Sequence, residues 1–266
     1  IFWGLPAVVL GVVVFIWLTD RPSQARWLEP DEREALESAL KAEKAASRQQ
    51  HGHMGVLEAL RHRKVIFLAM AYFFVVTGNY GVELFMPSII QDWYKLKLED
   101  ISLLVIIPPI GSLVGQLLVG WSSDRFQERR LHTCLPILMG ALALGGVVLS
   151  RGHLWLTVAL FTITMTGLKA YLPAFWSLPS LFLTEAAAAG SIGLINSVGN
   201  LGGALGPAVL GVVKKVTQSY ERGILFLAVS MSISAIILLT LGLGRRETAK
   251  SANFQEIEEE AIPEPM

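Results

Sequence analysis

Gly120-Trp121-Ser122-Ser123-Asp124-Arg125-Phe126-Gln127-Glu128-Arg129-Arg130 links two apolar runs, Ile101–Trp121 and Leu131–Leu149. The spacing G-x-x-x-D-R-x-x-x-R-R fits a turn between two helices at a membrane surface. Gly120 allows close helix approach. Asp124 can accept from the free N–H groups of a neighbouring helix N-terminus and complement its dipole. Arg125, Arg129 and Arg130 hold the turn on the cytoplasmic side and can pair with acidic groups across a gate. A charged turn that only obeys the positive-inside bias has the same composition.

Outward from this turn the chain keeps the same alternation. Of its 266 residues 53% are hydrophobic and 17% charged, against roughly 45–50% and about 25% in soluble domains. That balance excludes a nucleic-acid binder, a secreted disulfide scaffold and an ordinary soluble enzyme. Net charge is zero and Cys134 is the only cysteine, so no internal disulfide forms. Seven apolar runs read as helices: Ile1–Leu18, Val65–Ile90, Ile101–Trp121, Leu131–Leu149, Leu154–Trp176, Ala186–Val213 and Gly223–Leu243. They are apolar around most of their circumference, as lipid-embedded helices are. The expected fold is therefore an all-α polytopic membrane protein with seven transmembrane helices. The fourth and seventh runs carry little beyond small hydroxyls, whereas the second, third, fifth and sixth hold Asn, Tyr, Glu, Gln, Lys and Pro, which suggests the helices that face a polar cavity.

Seven spans put fifteen Lys and Arg on one side, in residues 20–64, after Trp121 and in the C-terminal tail, against six on the other. The richer side is expected to be cytoplasmic, with the C-terminus inside. Residues 1–19 form the first helix and residues 20–64 a polar loop. Within it Pro30-Asp31-Glu32 opens a helical run rich in Ala, Glu and Lys, and Leu57–Arg63 forms a short amphipathic approach to the next span. Residues 65–246 form a six-helix bundle, and 247–266, rich in Glu, a solvated tail. The chain opens inside an apolar run without a basic leader, the pattern of a fragment that starts partway through a helix.

The Gly120–Arg130 turn resembles the loop motif of the major facilitator superfamily in its second-half copy, with Glu128 where that motif usually has a later Gly. Gly4-Leu5-Pro6-Ala7-Val8-Val9-Leu10-Gly11, with Thr19-Asp20-Arg21-Pro22-Ser23-Gln24-Ala25-Arg26-Trp27-Leu28, resembles the sixth helix and central loop of its anion:cation symporter family. Trp3 stands where that family is often acidic. The stretch from Ala187 to Pro207, with Asn196 and Asn200 among its glycines, is similar to that family's eleventh helix. The resemblance implies the sixth helix plus a C-terminal six-helix half, with an N-terminal half as partner. It further implies uptake of a small carboxylate with a coupling proton or cation, by rocking of two halves about a midplane site.

On that basis the candidate substrate-binding residues are Asn196, Asn200, Lys169, Tyr80, Asn79 and Gln116. Asn196 and Asn200 share a helix face and suit a hydroxy acid's oxygens, or serve as interhelical glue. Thr162, Thr166 and Lys169 are spaced to share a face that Pro173 and Trp176 continue. Lys169 is an anion-binding charge or a side chain snorkelling to headgroups. Glu83 is a candidate coupling carboxylate or an outer residue paired with a loop lysine. Tyr80 lies in a Y-G-x-x-x-x-P context resembling the family's seventh helix. Ser112 and Gln116 share a face that can line the cavity, and Pro108-Pro109 should interrupt their helix. Gly199, Gly202, Gly203, Gly206 and Gly211 suit close packing rather than substrate contact. The five histidines fall in no metal or catalytic motif, and no phosphate loop occurs. No cofactor, metal or nucleic-acid partner is expected; the lipid bilayer is. A non-transporting scaffold or sensor of the same fold is the rival reading.

Overall fold

The computed structural model describes residues 4–19, 21–25, 27–51, 56–183 and 185–244. Every regular element among them is helical. The acidic tail expected at 247–266 lies outside the described residues, as do Trp3 and Asp20. Two compact units emerge, Ile1–His53 and Met54–Met266.

In the first unit α1 (Leu5–Trp17) is an apolar helix of 13 residues and α2 (Pro30–His51) a polar one of 22. Asp31 and Glu32 occupy the first turn of α2, where acidic groups complement the helix dipole. Arg33 donates to the carbonyls of Ala25 and Leu28, at 2.8 and 3.0 Å, and so folds the preceding stretch back on α2.

The second unit is a helical bundle. Its members are α3 (Val56–Arg61), α4 (Arg63–Tyr94), α5 (Leu98–Leu104), α6 (Ile107–Phe126), α7 (Arg130–Val147), α8 (Leu154–Ala170), α9 (Leu172–Ser177), α10 (Glu185–Thr217) and α11 (Glu221–Leu241). Five helical segments are long and apolar enough to cross a membrane: Arg63–Tyr94, Leu98–Phe126, Arg130–Ser150, Leu154–Leu181 and Glu221–Leu241. α10, at 33 residues, exceeds the roughly 20 that a bilayer needs. The chain is thus an all-α, multi-pass membrane protein.

The proline positions explain where the long apolar runs divide. Pro108 lies in the first turn of α6, so the run beginning at Ile101 splits between α5 and α6. Pro173 does the same at the α8–α9 junction. α4 runs past the apolar Ile90 to Tyr94, because Asp92 is stabilised there by Lys214 at 2.7 Å and Lys95 at 3.2 Å.

α4 is the centre of the bundle, packed on α10, α11 and α8. Its contact with α10 is made by glycines. A Cβ added at Gly202 would sit 2.2 Å from the Phe73 carbonyl oxygen, and one at Gly206 2.0 Å from that of Thr77. Gly199 and Gly203 accept the rings of Tyr72 and Tyr80 in the same way. Helices without a water-driven hydrophobic force pack closely through such small residues. The hydroxyls of α11 fasten its other side: Ser230 donates to the Phe74 carbonyl at 2.8 Å, and Ser234 to that of Ala71 at 2.7 Å. α7 and α8 meet at Gly140 and Gly167, where a Cβ on Gly167 would lie 2.2 Å from the Pro136 carbonyl oxygen. α3 packs on α10 and its Ala59 is fully buried, so this short helix belongs with the bundle.

Candidate functional site

A polar cluster forms where α4 and α8 adjoin. Lys169 on α8 brings its Nζ to 3.5 Å from Glu83 Oε2 on α4. Asn79, one turn before Glu83, donates from Nδ2 to the same carboxylate oxygen at 3.2 Å. Its Oδ1 is buried and has no hydrogen-bond partner among the described residues, which leaves an acceptor unused. The pair is not sealed in the core: the Glu83 side chain is 51% exposed and that of Lys169 29%. Lys169, in the last turn of α8, reaches toward α4.

Tyr80 precedes Glu83 by less than one turn and is exposed. Its ring lies over Gly203, which is three residues from Asn200 and seven from Asn196 and hence on the same side of α10. Asn196 and Asn200 are both exposed. Tyr80 thus meets α10 at Gly203, with Asn200 one turn and Asn196 two turns further back along the same side of α10. Gln116 stands apart: half-exposed on α6, it makes no hydrogen bond among the described residues.

Thr162 and Thr166, with Pro173 further along, line the side that packs on α6. Their methyl groups fill the space beside Gly111 and Gly115, where added Cβ atoms would lie 2.6 and 2.3 Å away. Ser112, expected to line a cavity beside Gln116, is instead buried, and its hydroxyl donates to the Pro108 carbonyl one turn back at 2.8 Å. A hydroxyl on a helix satisfies itself this way and gives no line to a cavity.

Beyond the cluster, toward the Gly120–Arg130 end, lie aromatic rings of which residue patterning singled out only Trp176. Tyr72 stacks on Phe175 with centroids 5.2 Å apart and meets Trp176 edge-on at 5.1 Å. Tyr171 packs edge-on against Phe175 at 5.8 Å. In sequence these rings blend into apolar runs; the packing of α4 beside α9 gathers Tyr72 with Phe175 and Trp176.

The turn itself is knit within the chain. Asp124 pairs with Arg129. Arg130 donates to the Leu239 carbonyl, and the backbone N–H groups of Arg129 and Arg130 donate to the Gly244 carbonyl at 2.9 and 3.2 Å. The turn is thereby tied to the end of α11. Arg125 lies over the Trp121 ring at 5.4 Å. Glu128, a departure from the family's motif, caps α7: its carboxylate accepts from the Leu131 N–H at 2.8 Å and the His132 N–H at 3.3 Å. His132 bridges Glu128 and the Ser122 hydroxyl, each at 2.9 Å. The i, i+4 spacing of Glu128 and His132 was the available sequence signal for this link. At Gly120 an added Cβ would make an ordinary 3.5 Å contact with Pro173, so packing within the described residues does not require glycine there.

An all-helical, membrane-spanning bundle with glycine-seated helices around an exposed polar face is the architecture of a polytopic carrier protein. The sequence profile of the Major Facilitator Superfamily matches residues 1–207, and the chain belongs to that superfamily. It is 37% identical over 237 residues to a protein of Agrobacterium vitis named for tartrate transport, covering 89% of this chain and 54% of that protein. It is 33% identical over 259 residues to a quinolone resistance transporter of Acinetobacter baumannii, covering 95% and 58%. A metabolite transport protein, NicT, of Pseudomonas putida is 31% identical over 238 residues, covering 90% and 54%. The chain spans about half the length of these curated relatives.

Proposed function

We propose that this bundle is the C-terminal half of a secondary transporter for small hydroxylated organic anions, working against an N-terminal half by alternating access. The observation that carries the reading is the Glu83–Lys169 pair on an exposed face. Ionisable groups at membrane depth are costly, and one that is both paired and accessible suits an exchange of partners. A substrate carboxylate takes the place of the Glu83 carboxylate on Lys169, and Glu83, released, takes up the coupling proton. Asn79, with its unused Oδ1, and Asn196, Asn200 and Tyr80 supply donors and acceptors for the hydroxyls of the ligand. The relative named for tartrate transport supports this substrate class.

The test is uptake of tartrate and related hydroxy acids by the full-length protein in proteoliposomes. Uptake above protein-free liposomes, driven by an inward proton gradient and abolished by a protonophore, is the expected result. Asn196→Ala should weaken substrate affinity by roughly 2- to 12-fold, the equivalent of a hydrogen bond of about 0.5–1.5 kcal/mol. Failure of folded protein to move any small carboxylate would leave the scaffold or sensor reading.

The Lys and Arg distribution supports an orientation with the Gly120–Arg130 turn in the cytoplasm. In intact cells an impermeant thiol reagent should then modify Lys97→Cys and spare Gln127→Cys, both exposed positions. The reverse pattern would invert the topology. Cys134 is buried and adds little background.

A further inference from the structure

A cavity of about 870 Å³ opens between the start of α4 and the end of α11, at the end of the bundle that carries the Gly120–Arg130 turn. Its walls are of two kinds. Phe67, Ile237 and Leu241 make an apolar side, and Arg61, Arg63 and Lys64 a cationic one. Glu58 is the one acidic residue on the lining. None of the three cations has an ion-pair partner among the described residues. Lys64 instead rests its Nζ over the Phe182 ring, 5.3 Å from the centroid.

The position of the cavity along the bundle defines its surroundings. Arg63 and Lys64 open the apolar run of α4, and Leu241 closes that of α11. The start of an apolar span is the level of the lipid headgroups, so the cationic wall lies at the phosphates and the apolar wall at the first methylenes. Unpaired cations between transmembrane helices attract anionic headgroups, and the positive end of the α4 dipole adds to the field. A small soluble anion would satisfy the cations and leave the apolar wall wet.

We propose that this cavity binds an anionic phospholipid. Arg61, Arg63 and Lys64 hold the headgroup phosphate, and an acyl chain lies along Phe67, Ile237 and Leu241. The site is independent of the substrate reading, because it uses none of the residues on the Glu83–Lys169 face.

Lipid binding to the purified full-length protein, measured by native mass spectrometry in detergent, tests it with phosphatidylglycerol and phosphatidylcholine as probes. Phosphatidylglycerol should bind at least tenfold more tightly, and the combined Arg61→Gln, Arg63→Gln and Lys64→Gln variant should lose that preference. Leu241→Trp keeps every charge but fills the apolar wall, and should weaken phosphatidylglycerol binding at least threefold even if the triple variant folds poorly. Lys95→Gln with Lys97→Gln, at the opposite end, should leave it unchanged. Equal binding of the two lipids, or undiminished preference in the triple variant or in Leu241→Trp, would overturn the site. So would full competition by inorganic phosphate at equal concentration, which would make the ligand a free anion. A tenfold gain in lipid binding on deletion of residues 247–266 would instead assign the cavity to the chain's own acidic tail.

Discussion

Replacing Gly206 by alanine is expected to unseat α10 from α4 and to lower the thermal stability of the protein well below that of Gly193→Ala on the same helix. The added Cβ would lie 2.0 Å from the Thr77 carbonyl oxygen and 2.9 Å from its carbonyl carbon. Both are backbone atoms held in the α4 hydrogen-bond ladder, so no rotamer change relieves the clash. The helices must separate, and the neighbouring contacts at Gly199, Gly202 and Gly203 loosen together. Overpacking of this kind costs about 1–3 kcal/mol, and more when backbone must move. Alanine also gains about 1 kcal/mol over glycine in helix propensity, which partly offsets the loss. Gly193 supplies the control on the same helix, since nothing lies within 4 Å of its would-be Cβ. Gly193→Ala should therefore be neutral or slightly stabilising. Thermal unfolding in detergent, followed by size-exclusion profile, reads the difference. Equal midpoints for the two variants would show that the close approach of α4 and α10 is not needed for stability.

The glycines of α10 were legible as packing residues, but their partner was not. Nothing near Gly206 in sequence points to Thr77, because the contact is made between helices far apart in the chain. The apolar runs themselves were legible because lipid leaves a backbone no alternative to the helix. Their ends were less so. α4 continues through Asp92, whose carboxylate meets Lys214 and Lys95, a pairing that no local pattern marks. Thr162 and Thr166 share a face at helical spacing, but that its neighbour is α6 could not be read from periodicity. Lys169 reaches its partner 86 residues away, so its stem direction was open until α4 and α8 were seen side by side. At the Gly120–Arg130 turn the charges were evident, yet Glu128 read as a departure from a motif while its chemistry is that of a helix cap.

Lys169→Gln is expected to reduce substrate affinity by about 10- to 100-fold, the loss of a charged hydrogen-bond donor at about 1.5–3 kcal/mol. Glu83→Gln should act in the opposite sense on binding and remove the coupling. With Glu83 ionised, Lys169 is occupied by an internal carboxylate at 3.5 Å; with glutamine at 83 it is free for an external one. A coupling role for Glu83 has a direct readout: in Glu83→Gln a proton gradient should no longer drive accumulation, although exchange across the membrane persists. A purely structural ion pair behaves differently. Either single change would then strand its partner and lower folded yield, and the double variant Glu83→Gln with Lys169→Gln would restore both yield and transport. Substrate affinity and gradient-driven uptake in proteoliposomes, measured on the two single variants and the double, separate these outcomes. A double variant that transports with normal affinity would remove Lys169 from the site and leave Asn196, Asn200 and Tyr80 to account for recognition.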